Sequence, residues 1–376
     1  MSKLPSVTVN TLNLKSGTTA QIEKTALFLG VGKNAGRLTS VNADSDLEKL
    51  FGADSDLTRQ LYAAQLNAGQ NWLAYVYEMT ESDYDITKGI MAANALIRYE
   101  FVVNTRELGA TKATLNELQE CSAALVAKYG RRTFSIQAVR GISASTETWS
   151  AYLSAMKEIT KGVACDHVMV VPELFGNDVG VLAGRLCSSA VTIADTPARV
   201  KTGAVVGLKN ADLPVDSENT RLDLSHIATL ADYRFSSVMW YPDYDGYYWS
   251  KGLTLDADGG DYQLIEYVRV VDKAARKVRL KAIAKIGDRS FNSTTASTEL
   301  HKTYFAQVLR EMAISTQIGT EYFPGECYPP TEDSIAITWH DKNTVSIYLR
   351  VRPIDCPTDI TTNILLDLTT LGDSNE

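Results

Sequence analysis

The sequence predicts a mixed α/β protein: a sheet domain with a parallel core and flanking helices, then a smaller α+β domain, with an extended strand at each end. Between residues 21 and 197, short apolar segments alternate with amphipathic segments of helical period, which is typical of strand–helix–strand units. After residue 197, short strands and turns precede two long helices. We therefore expect an N-terminal arm over 1–20, an α/β domain over 21–197, an α+β domain over 198–352 and a C-terminal arm over 353–376.

The first domain begins with an apolar run ended by glycine, which indicates a buried strand. A capping-box pattern at Ser45 and Glu48 predicts the first helix. Predicted strands cover residues 26–32, 72–77, 99–103, 133–139 and 166–171. Predicted helices cover residues 45–51, 55–68, 111–129, 145–161 and 178–191.

The second domain contains short predicted strands at 204–208 and 238–241. Asp261 is in position to cap a long helix over 262–286, and a further helix is predicted over 299–318. Two β segments then follow, joined by a hairpin-type turn at residues 340–343.

An isolated β segment lies at each end of the chain. Residues 5–14 alternate, and residues 359–368 form a last strand after two chain-breaking prolines. An isolated strand must pair with something to satisfy its backbone groups, either in its own subunit or in a neighbour. The apolar residues that would carry this pairing are Val7, Val9, Leu12, Ile360, Ile364 and Leu366.

The composition excludes several classes of protein. Of 376 residues, 45% are hydrophobic and 22% charged, which is not typical of a disordered, collagen-like or coiled-coil chain. The net charge of −8 disfavours a general nucleic-acid binder. Five scattered cysteines without a CxxC pair indicate a reduced, intracellular protein. A membrane-spanning helix needs about 18 consecutive apolar residues. Because no apolar run in the sequence approaches this length, we expect no membrane insertion.

A glycine-rich segment resembles a nucleotide-binding loop. Gly30, Gly32 and Gly36 follow a predicted strand, but a phosphate site needs a helix N-terminus immediately after the glycines. The predicted helix starts only near Ser45. A glycine-rich turn is the simpler reading, and an α/β nucleotide-binding enzyme that uses the Gly30–Gly36 loop stays the alternative.

Other signatures of chemistry are absent from the sequence. The four histidines have no neighbour at zinc-ligand spacing. The acidic segment from Asp256 to Asp261 lacks the glycine and glutamate positions of a calcium loop. No nucleophile motif is present. We therefore expect no enzyme activity, no catalytic residues, no cofactor and no metal.

One charge feature stands out in this acidic chain. Between residues 266 and 289 there are eight bases and three acids. Such a stripe is either a solvated helix face or a surface that meets an acidic partner. The candidate residues are Arg269, Lys273, Arg276, Lys277, Lys281 and Lys285.

The order of several segments resembles the contractile tail sheath proteins of bacteriophage tails and related injection systems. The segments are residues 26–36, Leu38-Thr39-Ser40, 46–52, 57–77, 178–197, 247–254 and Tyr267-Val268-Arg269. They are distributed between residues 26 and 269, so the resemblance extends over most of the chain.

This resemblance implies a structural protein of the virion tail. Subunits would stack in helical rings around a tail tube, linked by strand exchange of both arms, and would contract to drive the tube through the host envelope. Hinges would lie at 16–19 and 353–358, and the basic stripe would face the tube or the next ring. The implied partners are further copies of the chain, the tail tube protein and the baseplate and tail terminator proteins, with no direct contact to nucleic acid. Assembly would take place in the host cytoplasm.

Overall fold

The computed structural model describes residues 22–53, 55–107 and 111–366. Its strands are β1 (Ala26–Val31), β2 (Leu38–Asn42), β3 (Leu73–Met79), β4 (Phe101–Asn104), β5 (Phe134–Val139), β6 (Val168–Pro172), β7 (Val238–Tyr241), β8 (Tyr244–Trp249), β9 (Thr316–Ile318), β10 (Glu321–Phe323), β11 (Ile335–Trp339) and β12 (Val345–Leu349). Its helices are α1 (Leu47–Phe51), α2 (Asp56–Ala68), α3 (Ile86–Leu96), α4 (Lys112–Tyr129), α5 (Trp149–Thr160), α6 (Asp178–Cys187), α7 (Leu224–Asp232), α8 (Ile265–Ile283) and α9 (Thr295–Met312). The predicted mixed α/β class is confirmed.

A six-stranded sheet in the order β2-β3-β1-β4-β5-β6 forms the centre of the fold. Strands β3, β1, β4, β5 and β6 run parallel, and β2 pairs antiparallel with β3 at one edge. Every residue of β5 and β6 is buried. Helices that cover both faces bury such strands completely, which explains the apolar sequence of β6; the polar Ser135 and Gln137 of β5 are buried as well. The predicted parallel core is confirmed.

Helix limits follow the local capping signals. Ser55 caps α2 by accepting from the Thr58 N–H, and Thr111 caps α4 in the same way. Gly130 ends α4 in the left-handed conformation, with φ 63°.

Two glycines allow α6 to lie directly on α2. A Cβ atom at Gly180 would lie 2.1 Å from the Gln60 carbonyl oxygen, and one at Gly184 would lie 2.5 Å from that of Ala64. Any side chain at either position would push the helices apart.

Two hydrophobic cores share helix α8. The larger core includes Ile265 and Val268, whereas the smaller one includes Val270 and Ala274 with residues of α9 and the β11–β12 hairpin. The larger core also contains residues on both sides of position 197. The division at 197/198 stays a prediction, and α8 is the element that joins the two cores.

Several local predictions are wrong. The long helix begins at Ile265 and not at residue 262, because Leu264 is still extended and forms a bridge with Leu253. Asp256 rather than Asp261 accepts a backbone hydrogen bond there, from the Tyr262 N–H at 2.8 Å. The helix predicted over 299–318 ends at Met312, and Thr316–Ile318 forms β9. Residues 204–208 form no strand. Residues 359–366 also form no strand within the described chain, because no partner strand lies beside them.

Candidate intersubunit surfaces

The end of the described chain is an exposed apolar segment. Ile360, Ile364 and Leu366 are 77%, 95% and 81% exposed. In the part of the chain that the structure describes, residues 360–366 make no hydrogen bond to any other residue. This segment therefore offers both unpaired backbone groups and apolar side chains to another molecule.

The residues before this segment are attached to the body of the subunit. Pro353 forms an antiparallel bridge with Cys327, and Asp355 accepts a hydrogen bond from the Tyr328 hydroxyl at 3.1 Å. Asp359 pairs with Lys251. The expected hinge at 353–358 is thus held by contacts, and the free segment begins at residue 360.

The predicted N-terminal arm lies outside the described residues, and so do Val7, Val9 and Leu12. The first described residues, 22–25, are tied to the body. Glu23 pairs with Arg276 at 3.0 Å, and the Lys24 N–H donates to Glu100.

The β11–β12 hairpin immediately precedes the C-terminal arm. Ile337 and Ile347 pack on the smaller core, whereas Tyr348 is 58% exposed. Among the described strands, β11 and β12 pair only with each other. No described strand therefore covers either outer edge of this hairpin, and an isolated two-stranded sheet gains stability from further strands.

The structure divides the predicted basic stripe into an internal part and an exposed part. Arg269 is 2% exposed and pairs with Glu100 at 2.8 Å. Lys273 pairs with Glu326 at 2.6 Å, and both side chains are about 15% exposed. With Arg276 also paired, the prediction that Arg269, Lys273 and Arg276 belong to a partner-facing surface is wrong: their acidic partners come from distant parts of the same chain.

The second half of α8 remains accessible. Lys277 pairs with Glu311 across 3.5 Å with both side chains partly exposed. Lys281 donates to Gln307 at 2.8 Å, and Lys285 pairs with Asp288 at 2.7 Å. Exposed apolar side chains lie between these bases and directly after the last of them, namely Leu280 at 37%, Ile283 at 46% and Ile286 at 81%. This end of α8 is a mixed basic and apolar surface.

The Gly30–Gly36 loop does not present its backbone to a ligand. Glu78, fully buried on β3, accepts from the Asn34 N–H at 3.1 Å, and the Gly36 N–H donates to its carbonyl oxygen at 2.8 Å. A Cβ atom at Gly32 would lie 2.2 Å from the Glu78 carboxylate. A carboxylate in this position repels a phosphate, and the next helix, α1, begins only at Leu47.

Further ionic contacts connect α8 to the sheet. His167, just before β6, lies 2.8 Å from Asp166 and 3.4 Å from Asp272 of α8. Burial lowers the pKa of His167, but the hydrogen bonds and charges of the two aspartates outweigh it and raise that pKa to about 9. Arg132 also reaches Asp272, at 3.3 Å.

Two other kinds of feature, a metal-ligand cluster and a membrane-spanning helix, are absent from the described residues. Over the described ranges, no three His, Cys, Asp or Glu side chains are grouped as metal ligands. None of the helices in those ranges combines the length and apolar character needed to span a membrane.

The acidic residues Glu23, Glu78, Glu100 and Glu326 were missed by sequence reasoning. Each is separated by tens to hundreds of residues from the group that it contacts. No local pattern marks them, so only the folded structure identifies them.

The sequence matches two consecutive family domains: the DUF2586 N-terminal domain over residues 4–253 and the DUF2586 C-terminal domain over residues 261–369. A protein of Haemophilus phage HP1 (strain HP1c1), assigned as a tail sheath protein, is 55% identical over 374 residues, which is 98% of this chain and all of the relative.

Solved sheath structures share the fold. The sheath of an extracellular contractile injection system, the PVC complex in its contracted state, is 13% identical and superimposes with a TM-score of 0.59 over 98% of this chain and 99% of that one. A sheath tail protein from Desulfitobacterium hafniense is 8% identical, with a TM-score of 0.54 over 92% of this chain and 97% of that one.

Proposed function

We propose that this chain, which belongs to the DUF2586 family and is a structural tail sheath protein of a phage virion, assembles as stacked helical rings around a tail tube. Contraction of these rings would drive the tube through the host envelope. The observation that carries the proposal is the exposed segment 360–366, which follows in sequence a hairpin whose outer edges pair with no described strand. A subunit with both a free strand donor and a free strand acceptor is suited to heterologous, head-to-tail contacts, which generate rings and helical tubes.

Strand exchange would connect neighbouring subunits through the C-terminal arm. Residues 360–366 of one subunit pair with the open edge of β11 or β12 in a neighbour and place Ile364 and Leu366 against apolar side chains there. Main-chain hydrogen bonds supply affinity, and the alternating side chains set the register. The N-terminal arm, with Val7, Val9 and Leu12, would add a second strand in the same manner.

The exposed end of α8 is the proposed contact with the tail tube protein or the next ring. Lys277, Lys281 and Lys285 lie among apolar side chains there. A mixed basic and apolar surface fits an acidic protein surface with an apolar centre.

Contraction in this account consumes no nucleotide. The extended sheath is a metastable packing, and subunits rotate into a packing of lower free energy while the arms keep them connected. The baseplate and tail terminator proteins would hold the two ends of the sheath, which is assembled in the host cytoplasm, without direct contact to nucleic acid.

The alternative of a nucleotide-binding enzyme is disfavoured because Glu78 occupies the Gly30–Gly36 loop. It is tested by thermal unfolding of the full chain with ATP or NAD. We expect no change in Tm. A rise in Tm that is lost in Gly32→Ala would support the alternative.

The assembly itself is tested by negative-stain electron microscopy of the overexpressed full chain and of a variant that ends at residue 359. The full chain should form long tubes, and the truncated variant should remain a folded subunit by circular dichroism. Unchanged tubes from the truncated variant would contradict strand exchange by the C-terminal arm.

A further inference from the structure

Three basic residues on one face of α8 pair with carboxylates that belong to, contact or adjoin the partners of the segments from which both arms emerge. Arg269, Lys273 and Arg276 are spaced by four and three positions, so they lie on the same side of the helix. Their partners Glu100, Glu326 and Glu23 belong to three separate parts of the chain.

The N-terminal root consists of residues 22–25. Glu23 meets Arg276 at 3.0 Å, with the two side chains 11% and 14% exposed. The next residue, Lys24, has φ 67° and donates its N–H to Glu100, the same carboxylate that pairs with Arg269. Two neighbouring ion pairs of α8 thus hold one short segment.

The C-terminal root consists of residues 352–355 and is held through the partner of Lys273. Glu326 pairs with Lys273, and the following residue, Cys327, forms the antiparallel bridge to Pro353. The next N–H, that of Tyr328, donates to the Arg352 carbonyl oxygen at 2.8 Å.

We propose that Arg269, Lys273 and Arg276 form a brace that positions the roots of both arms, so that the two arms of one subunit are coupled through α8. The role of this coupling in an assembled sheath rests on the proposed function, because it requires arms that exchange strands with neighbouring subunits. A displacement of one arm by its neighbour then shifts the other arm, and a change of packing passes from subunit to subunit. The three side chains act through the segments that they hold, so they are positioning residues.

The same helix offers a matched control. Lys277 is adjacent to Arg276 and also has an acidic partner, Glu311, but that pair is 3.5 Å long and about two-fifths exposed, and it touches neither root. A charge reversal at this position changes the net charge equally while it leaves the brace intact.

The test is hydrogen exchange of the purified full-length subunit, followed by mass spectrometry. In Arg276→Glu, we expect the amides of residues 23–26 to exchange about tenfold faster, which corresponds to about 1.4 kcal/mol of lost local stability. We also expect faster exchange of the Tyr328 N–H, which donates to Arg352 in the C-terminal root, although Arg276 does not contact Tyr328. The charge swap Glu23→Arg with Arg276→Glu should restore both exchange rates, and Lys277→Glu should change neither.

Faster exchange at residues 23–26 without any change at the Tyr328 N–H would overturn the coupling. Equal increases of the exchange rates in Arg276→Glu and Lys277→Glu would also overturn the coupling. If Arg276→Glu does not fold, Arg276→Gln removes the charge alone and gives the same two readouts. Because exchange is measured on single subunits, it is independent of assembly. A wild-type chain that forms no tubes would contradict the proposed function and leave the brace standing.

Discussion

Arg269 of α8 and Glu100, directly before β4, form a two-pronged ion pair with nitrogen–oxygen distances of 2.8 and 2.9 Å and both side chains 2% exposed. The guanidinium also donates to the Leu186 carbonyl oxygen at 3.0 Å. A buried carboxylate and guanidinium with full hydrogen bonding compensate each other's desolvation. The pair connects the helix shared by the two cores to the centre of the sheet.

Arg269→Met should reduce the free energy of unfolding by about 3–5 kcal/mol, because it leaves Glu100 buried and without its cation. Chemical denaturation of the purified subunit measures this loss. Lys277→Met serves as the control and should cost about 0.5 kcal/mol or less, since its ion pair is exposed. If Arg269→Met lowers the free energy of unfolding by less than about 1 kcal/mol, the ion pair with Glu100 contributes little to the stability of the subunit.

The stability should fall as the pH rises through the range in which His167 loses its proton. The folded-state pKa of about 9 lies above the ordinary 6.5, so the contribution is fully present below pH 6.5 and lost as the pH rises through 9. This difference in the pKa of His167 corresponds to a contribution of at most about 3 kcal/mol to the free energy of unfolding. Denaturation at several pH values should show a steeper decline over this range for the wild type than for His167→Gln. Parallel curves would contradict the assignment.

Glu266 should change the stability of the subunit in a lower pH range than His167 does. Its side chain is buried, its Oε2 atom has no hydrogen-bond partner among the described residues, and burial raises its pKa to about 7. A carboxyl with a raised pKa contributes stability below about pH 4.5 that is lost as the pH rises through 7. Glu266→Gln should therefore match the wild type near pH 4 and be more stable at pH 8, by about 3 kcal/mol at most. The exposed Glu299→Gln should show no such divergence, and a Glu266→Gln curve without it would argue against a protonated Glu266.

Ile364→Asp should abolish assembly without affecting the subunit. The side chain is 95% exposed, so its replacement cannot weaken the core, whereas a charge in a strand-exchange contact is costly to bury. Sedimentation and Tm measurements on the same preparation separate the two effects. Leu300→Asp, at an exposed apolar position of α9, is the control and should assemble normally. An Ile364→Asp variant that sediments like the wild type would exclude this side chain from the contact.

Local patterns predicted most elements of the sheet domain, although neither β2 nor α3, because each pattern is set by neighbouring residues. Leu115, Leu118, Cys121 and Leu125 form the buried face of α4, and the caps at Ser55 and Thr111 are present as their residue types indicate. The continuous apolar run at the start of the sheet domain predicted a buried strand, and β1 is buried at every residue except Val31.

The basic stripe could not be interpreted in the same way. Helical spacing shows that Arg269, Lys273 and Arg276 share a face, but it does not show what lies opposite. Glu23 and Arg276 are 253 residues apart, so their contact depends on the assembled fold. The same limit explains residues 359–366, whose alternation predicts a strand although no partner strand is available within the described chain.

The most direct measurement is a cryo-electron microscopy reconstruction of tubes formed by the full-length chain, at a resolution that traces the backbone. The account predicts that residues 360–366 run as a strand hydrogen-bonded to β11 or β12 of a neighbouring subunit, with Ile364 covered. A reconstruction in which this segment pairs with the hairpin of its own subunit, or contacts no strand, would contradict it.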